Sequence, residues 1–439
     1  MKKINNSVLA LALFVGMANA NAQEKKTLTL DEAVQLGIQN SKNLKIDAAK
    51  IEEATADLLE AKNRQLPELK VSGSYMYLPN KPNMNIKLPG LSSEGGSSPE
   101  IHQVLYGSAN LSVPIYSGGR IKYGIQSAKY LVEASKLTTE NDKTAIAYNV
   151  AQAYNNLFKA NQSIKVLEEN LTASQKRDET FLKLENNGVI ARNDRLKANL
   201  QTSNIELQLL EAKNNYNIAN INMDLLLGLP ETTEIEVDQN YIEEGEDVKP
   251  VDFYVNAAKE NRKDLQALDK QRQAAALGTK AAKAENLPSI AFTGGYVAAD
   301  IPKFLTIYNA VNVGVGISYN LSNIWKENSA YKQSKAREMQ LSATNELLND
   351  NIKLDVNREY QNTDYSKKRI AVFEKSAEQA NENYRITKNK YDNGLATMTE
   401  LLDADAAQIE ANVGVINAKA DAALAYRKLL QTTGTLTIK

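Results

Sequence analysis

Two hydrophobic rhythms alternate along the chain. The first has period two. From Leu105 to Ile115, Leu105, Gly107, Ala109, Leu111, Val113 and Ile115 fall on one side, and Tyr106, Ser108, Asn110 and Ser112 on the other. From Val311 to Leu321, Val311, Val313, Val315, Ile317, Tyr319 and Leu321 alternate with Asn312, Gly314, Gly316, Ser318 and Asn320. Each stretch predicts a strand, about 105–115 and 309–321, paired with a shorter alternating one at about 70–78 and 290–299. Apolar residues on one side and small polar ones on the other are the pattern of a barrel wall between lipid and a lumen. Tyr near the strand ends fits an interfacial belt. The same pattern also suits a half-buried sheet in water.

The second rhythm is a heptad. Ile146, Val150, Ala153, Leu157, Ala160, Ile164, Leu167 and Leu171 are spaced alternately by four and three, and Val356, Tyr360, Thr363, Ile370, Ala377, Tyr384 and Tyr391 keep the same register. Helices with this repeat pack along a seam as coiled coils. An uninterrupted helix from Arg120 to Glu185 is about 100 Å long at 1.5 Å per residue. Asn187-Gly188 and Asn393-Gly394 end the two runs, as expected where Gly takes the left-handed cap. Each break predicts a hairpin tip, near 186–193 and 391–399, with a return helix from about Asn193 or Thr399.

These elements occur twice. A shift of 221 residues lays 30–75 on 251–296 without a gap, matching Asn40 to Asn261, Leu66-Pro67 to Leu287-Pro288 and Gly73 to Gly294. A shift of 206 then matches Val150 to Val356, Asn187-Gly188 to Asn393-Gly394 and Leu196 to Leu402. The expected organisation is a first repeat at 23–230 and a second at 251–439. Between them, 231–250 carries eight acids and one lysine and reads as a solvated linker. Each repeat opens with a helix. Thr29-Leu30-Asp31-Glu32 fits a capping box, and the helix is expected to run to about Gln65, before Pro67. The first strand pair is joined by a long loop holding Pro79, Pro82, Pro89 and Pro99, with His102 at its end.

Composition narrows the chemistry. Lys2 and Lys3, the apolar run Val8–Met17 and Ala20-Asn21-Ala22 read as a signal peptide over 1–22. There is no cysteine, so neither thiol chemistry nor an acylated N-terminal cysteine is available, and His102 is the only histidine. With 52 Lys+Arg against 53 Asp+Glu, no basic field for nucleic acid exists. The mean hydropathy is −0.43, and after the signal no apolar stretch is long enough for a membrane helix. No nucleophile elbow, phosphate loop or zinc motif occurs, so neither enzyme activity nor any cofactor or resident metal is expected.

Four strands cannot close a barrel in lipid, and an open edge there leaves backbone groups unsatisfied. Other protomers must complete it. The order of signal, helix-to-Pro, strand pair, long helix, Asn-Gly tip and return helix, all duplicated, resembles the TolC family of outer-membrane efflux ducts. Val113-Pro-Ile-Tyr-Ser-Gly-Gly-Arg120 resembles its strand-to-helix junction. Asn187-Gly-Val-Ile-Ala-Arg-Asn-Asp194 and Tyr391–Ala404 resemble its periplasmic tips. The resemblance implies an α+β membrane protein: a homotrimer with a twelve-stranded β-barrel, four strands per protomer, continuous with a long α-helical coiled-coil barrel. It also implies a periplasmic adaptor (membrane fusion protein) and an inner-membrane RND or ABC pump as partners, with the protein lying in the outer membrane and extending into the periplasm.

Glu400 and Asp403 share one helix face. Taken alone they are acids complementing a helix N-terminus. The resemblance implies that they line the pore entrance, where three copies would form acidic rings that bind divalent cations and block current. It further implies closed-state links between hairpins, with Tyr391 and Asp194 at matching positions. The basic residue expected in the second tip is Ala396 here, and Arg192 is the candidate substitute. Asn187, Gly188, Leu196, Asn393, Gly394 and Leu402 are the expected adaptor-contact tips. The expected function is a passive exit duct of a tripartite efflux or type I secretion system, carrying small molecules or polypeptides. The alternative is a periplasmic coiled-coil adaptor, which would not need four alternating strands. An enzyme reading would rest on Glu400 and Asp403 as a glycosidase dyad, and nothing supplies a sugar cleft.

Overall fold

A computed structural model describes residues 25–80, 101–238, 241–242, 248–302 and 305–437. The expected signal peptide and most of the proline-rich loop lie outside these residues. The described elements are β1 (Lys25–Leu28), α1 (Leu30–Asn40), α2 (Lys42–Asn63), β2 (Glu68–Tyr77), β3 (Gln103–Tyr116), α3 (Arg120–Asn186), α4 (Arg192–Leu227), β4 (Glu234–Val237), α5 (Val251–Asn261), α6 (Lys263–Ala284), β5 (Ser289–Ile301), β6 (Leu305–Ser318), α7 (Ser329–Asp392) and α8 (Met398–Thr432). Every proline among the described residues lies outside the helices, which leaves their hydrogen-bond ladders unbroken.

The chain divides into two compact units. One comprises residues up to Ala48, Thr138–Leu265 and the chain from Leu347. Its largest apolar core gathers Val34, Val150, Tyr154, Leu157, Met223 and Leu227. A second core forms around Tyr254, Ala258, Ile352, Val356 and Leu429. The heptad positions Val150 and Val356 are thus fully buried in corresponding cores. At Thr29 the capping box forms: the Thr29 backbone N–H donates to Glu32 at 2.9 Å, and the Glu32 N–H donates to the Thr29 hydroxyl at 3.3 Å.

Two expectations change in this unit. The opening helix is not continuous to Gln65. It breaks at Ser41, whose ψ of 121° leaves the helical region, and the second repeat breaks at the matching Arg262, ψ 120°. The acidic segment 231–250 is not wholly solvated. Its alternation of Glu234 and Glu236 with Ile235 and Val237 forms β4, which pairs in parallel with β1 and buries both apolar residues in the main core. The Tyr154 hydroxyl secures this corner by donating to the Leu28 carbonyl at 2.8 Å and accepting from the Asp238 N–H at 2.7 Å. Burial, its largest influence, pushes that phenol up to about 12.

The other unit, Ala49–Leu137 and Gln266–Glu346, holds one antiparallel sheet in the order β2-β3-β5-β6. Its strands begin or extend beyond the alternating windows. The last of them stops at Ser318, where a 3-10 turn (Leu321–Ile324) takes over, so Tyr319 and Leu321 lie beyond the strand.

Candidate functional site

The sheet register converts the sequence alternation into two chemically distinct faces. Paired residues in an antiparallel sheet share a face. Leu69, Leu111, Gly294 and Val313 form one row across all four strands, and Val71, Ala109, Tyr296 and Val311 form the next. Val113, Phe292 and Val315 continue the same face. Most of its large side chains are exposed: Leu69, Val71, Val311, Val313, Val315 and Ile317 all stand clear of the protomer. The opposite face carries Lys70, Asn110, Gly295 and Asn312 in one row and Glu68, Ser112, Thr293 and Gly314 in another. Its polar groups partner one another, as where Ser72 and Ser108 hydroxyls meet at 2.9 Å and Asn110 donates to Ser108 at 3.2 Å. Ser108 is only 6% exposed. A wall apolar on its open side and polar on the other suits lipid against water. Strands β2 and β6 each have a partner on one side only.

The hairpin ends form the second candidate region. Gly188 (φ 69°) and Gly394 (φ 74°) both take the left-handed conformation. The following N–H reaches back to close each helix, Val189 to the Leu184 carbonyl at 2.9 Å and Leu395 to Lys390 at 2.8 Å. Beneath the turns, Phe181, Ala198 and Met398 form a small core that Tyr391, Leu402 and Ile190 join. The Phe181 and Tyr391 rings lie 5.9 Å apart. Burial and then the nearby charges of Asp194 and Asp392 raise the Tyr391 phenol. Asp194 is half-buried, 3.8 Å from Lys197.

Glu400 takes the cap role. Its carboxylate accepts from the Thr397 backbone N–H at 2.6 Å and the Thr397 hydroxyl at 2.9 Å, and these bonds hold it below the ordinary carboxylate range. Asp403 is exposed one turn further along. Asn187, Gly188, Asn393 and Gly394 are exposed at the turns. Leu402 packs inward while Leu196 is 49% exposed, so the two leucines matched by sequence do different work. Arg192 is exposed and Ala396 half-buried.

The sequence reading did not single out the side-chain links between the hairpins, of which Lys159 on α3 with Asp421 on α8 at 2.8 Å is one. Arg177 on α3 pairs with Asp405 on α8 at 3.0 Å, with side-chain exposures of 14% and 4%. Lys197 donates to the Thr399 hydroxyl at 3.4 Å. The signal for Asp405 was available: it falls between Leu401 and Ile409 on the buried face of α8, where an apolar residue is expected. Helices α4 and α7 also keep apolar stripes turned outward, Leu196, Leu200, Leu207 and Leu210 on one and Leu347, Leu354 and Val372 on the other. Among the described residues, no cluster of acids and histidines is built to hold a metal.

A family model described as outer membrane efflux protein matches residues 33–229 and 254–435. No curated protein matches. Among solved structures, the fold is similar to the outer membrane protein VceC from Vibrio cholerae (18% identity, TM-score 0.77, 92% of this chain and 96% of that one). It is also similar to the CmeC outer membrane channel of Campylobacter jejuni (18%, 0.75, 93% and 86%) and to the open state of the MtrE outer membrane channel of Neisseria gonorrhoeae (18%, 0.72, 93% and 89%). At these identities the likeness establishes the fold.

Proposed function

The chain belongs to the outer membrane efflux protein family, whose members are passive channels rather than enzymes, and on that premise we propose that three copies form an exit duct across the outer membrane. Twelve strands close the barrel, and the helices continue it into the periplasm as a coiled-coil tunnel. The duct receives cargo from an inner-membrane pump of the RND or ABC class through a periplasmic adaptor, in tripartite efflux or type I secretion. The energy comes from the pump. The observation that carries this reading is the sheet, whose four strands present one apolar face and two unpaired edges. In hydrocarbon those edges require partners, and copies of the same strands supply them in register. The outward apolar stripes of α4 and α7 support the same assembly through seams between protomers.

At the tunnel entrance, Glu400 and Asp403 repeat in three copies as acidic rings that favour cations. In this reading Arg177–Asp405 and Lys197–Thr399 tie the hairpins of one protomer together, beside the Tyr391 and Asp194 positions. Asn187, Gly188, Asn393, Gly394 and the outward Leu196 meet the adaptor. The first test is the mass and location of the mature protein, with outer membrane extracted in detergent and the protein mass measured by light scattering. A trimer confined to that fraction is expected, and a soluble periplasmic monomer would overturn the duct. In channel recordings, Glu400→Ala with Asp403→Ala is expected to weaken block by divalent cations, and unchanged block would remove both residues from the entrance.

A further inference from the structure

On the polar side of the sheet, where the strands meet the helices, lies a cavity of about 860 Å³. Its wall draws on the end of α2, the starts of β2 and β5, the end of β3 and the start of α3, so both repeats contribute. Glu68, Ser112, Pro114, Ser289 and Ala291 all line it, and the register puts all five on the polar face. Sites that take a small organic molecule usually enclose about 300–1,000 Å³.

Packing does not account for three of the residues that line it. Arg120 opens α3, where the helix dipole opposes a positive charge, and its guanidinium has no partner among the described residues. Glu68 on β2 likewise has no side-chain partner among them. The other charges of the wall are engaged: Arg64 donates to Glu60 at 2.8 Å, and Glu285 is also held. The third residue is Gly124, four positions beyond Arg120 and so on the same side of α3. Glycine is disfavoured inside a helix, yet a β-carbon at Gly124 would meet nothing within 4 Å. The chain forgoes helix stability there and the space stays open. Leu66, Tyr116 and Ile121 add apolar surface. The wall therefore offers one unpaired cation, one unpaired anion and an apolar patch.

We propose that this cavity is a resting site for cargo on the inner wall of the duct, and that it takes aromatic zwitterions of drug size. Arg120 receives the acid group, Glu68 the amine, and Leu66, Tyr116 and Ile121 the ring. This rests on the duct reading given above, in which the polar face of the sheet lines the lumen. A guanidinium grips a carboxylate in a fixed direction, whereas apolar contact is non-directional. The charges therefore orient the molecule, and the apolar patch lengthens its stay.

Single-channel recording tests this with three probes added from the strand side. They are the dipeptide tryptophyl-phenylalanine, its N-acetyl form, which keeps only the acid, and its amide, which keeps only the amine. At about pH 6.5 the free amine is charged. The dipeptide is expected to interrupt the current for severalfold longer than either derivative. Arg120→Gln is expected to shorten the interruptions by the dipeptide and the N-acetyl form and to leave the amide unchanged. Glu68→Gln is expected to shorten those by the dipeptide and the amide and to leave the N-acetyl form unchanged. Gly124→Leu, which fills the space, is expected to shorten all three. Each variant is first shown to have the mass of the unaltered complex. Interruptions shortened by Gly124→Leu but by neither charge substitution would overturn the preference for zwitterions. A conducting protein whose interruptions survive all three substitutions would overturn the site and leave the duct standing. An unaltered protein that conducts no ions would overturn the duct itself.

Discussion

The two repeats share a backbone plan and differ in the chemistry laid on it. With a shift of 206 residues, Gly188 matches Gly394 and Gly228 matches Gly434, and all four have φ between 68° and 74°. The return helices end alike: Gly228 lies against Asn40, and Gly434 against Asn261, its counterpart. The side chains around these conserved turns diverge. Thr397 builds a capping box with Glu400, while its counterpart Ala191 makes no side-chain cap. The first repeat instead joins Glu185 to Arg195 across the turn, where the second has Tyr391 and Leu401 packed in apolar surroundings. Asp224 is fully buried where the second repeat has Leu430. Arg177 and Asp405 match Asn383 and Asn199, so the most enclosed ion pair between the hairpins has neutral residues at the matching positions. Backbone geometry is what duplication preserved, and charge is where the copies became distinct.

The largest effect is expected where that distinction is buried. Arg177→Leu leaves the Asp405 carboxylate enclosed without its cation, which costs about 3 kcal/mol or more. Thermal unfolding of the detergent-extracted protein reads this as a lowered midpoint. The pair Arg177→Asn with Asp405→Asn, which makes both sites resemble their counterparts, is expected to recover most of the loss. If the double variant is as unstable as the single one, the charge pair is not what distinguishes the hairpins.

Asp224 comes next. One oxygen accepts from Asn220 at 3.0 Å, the other has no partner, and burial first, then Glu231, lifts the carboxyl to about 6. A raised folded value means that stability is fully present below the ordinary 3.8 and is lost as pH rises through about 6. Asp224→Asn, closer to the neutral second copy, is expected to gain roughly 2 kcal/mol at pH 7 and to flatten the pH dependence between those values. An unchanged pH profile would show that the carboxylate is solvated.

The shared glycines give a smaller effect that should be equal in both copies. Gly188→Ala and Gly394→Ala meet open space, so each costs only the left-handed strain of about 1 kcal/mol. Hydrogen exchange of the turn amides is expected to speed up by the same factor in each. Gly228→Ala must also displace Asn40, 2.8 Å from the new carbon, and is expected to cost more. The smallest effect concerns the caps. Thr397→Ala loses about 1 kcal/mol from the start of α8, and Ala191→Thr gains less at the start of α4. Because the Thr397 bonds depress the Glu400 carboxyl, its contribution is present above the ordinary 4.5 and is lost as pH falls through the lower folded value. First-turn amides of α8, and not those of α4, are therefore expected to fray in acid.

What the sequence reveals follows the range of the forces involved. Period-two alternation and the heptads were legible because each records one side of an element facing one environment along its length, as Val311–Ile317 and Val150–Leu157 do. Asn-Gly marked both turns because only a left-handed residue closes a helix there. The break at Ser41 was missed because no proline or glycine announces it; its local mark is Ser41 itself, whose hydroxyl accepts from the Leu44 N–H at 3.3 Å at the start of α2. The burial of β4 was missed because its two apolar residues lie in a segment rich in acids, and its partner β1 lies some two hundred positions earlier. The two acids chosen for the entrance rest on one helix turn, whereas the Arg177–Asp405 pair joins residues 228 positions apart, a proximity that only the fold creates.

In the proposed trimer, the unpaired edges of β2 and β6 make abundance a condition of folding. On that reading a new protomer cannot wait in a finished state, because two ladders of backbone donors and acceptors remain open until other copies arrive. Its lifetime before assembly depends on how quickly copies meet and on what shields the edges meanwhile. A substitution at either edge would therefore register first as a loss of protein from the cell, through aggregation or proteolysis, before any change in what the finished duct carries.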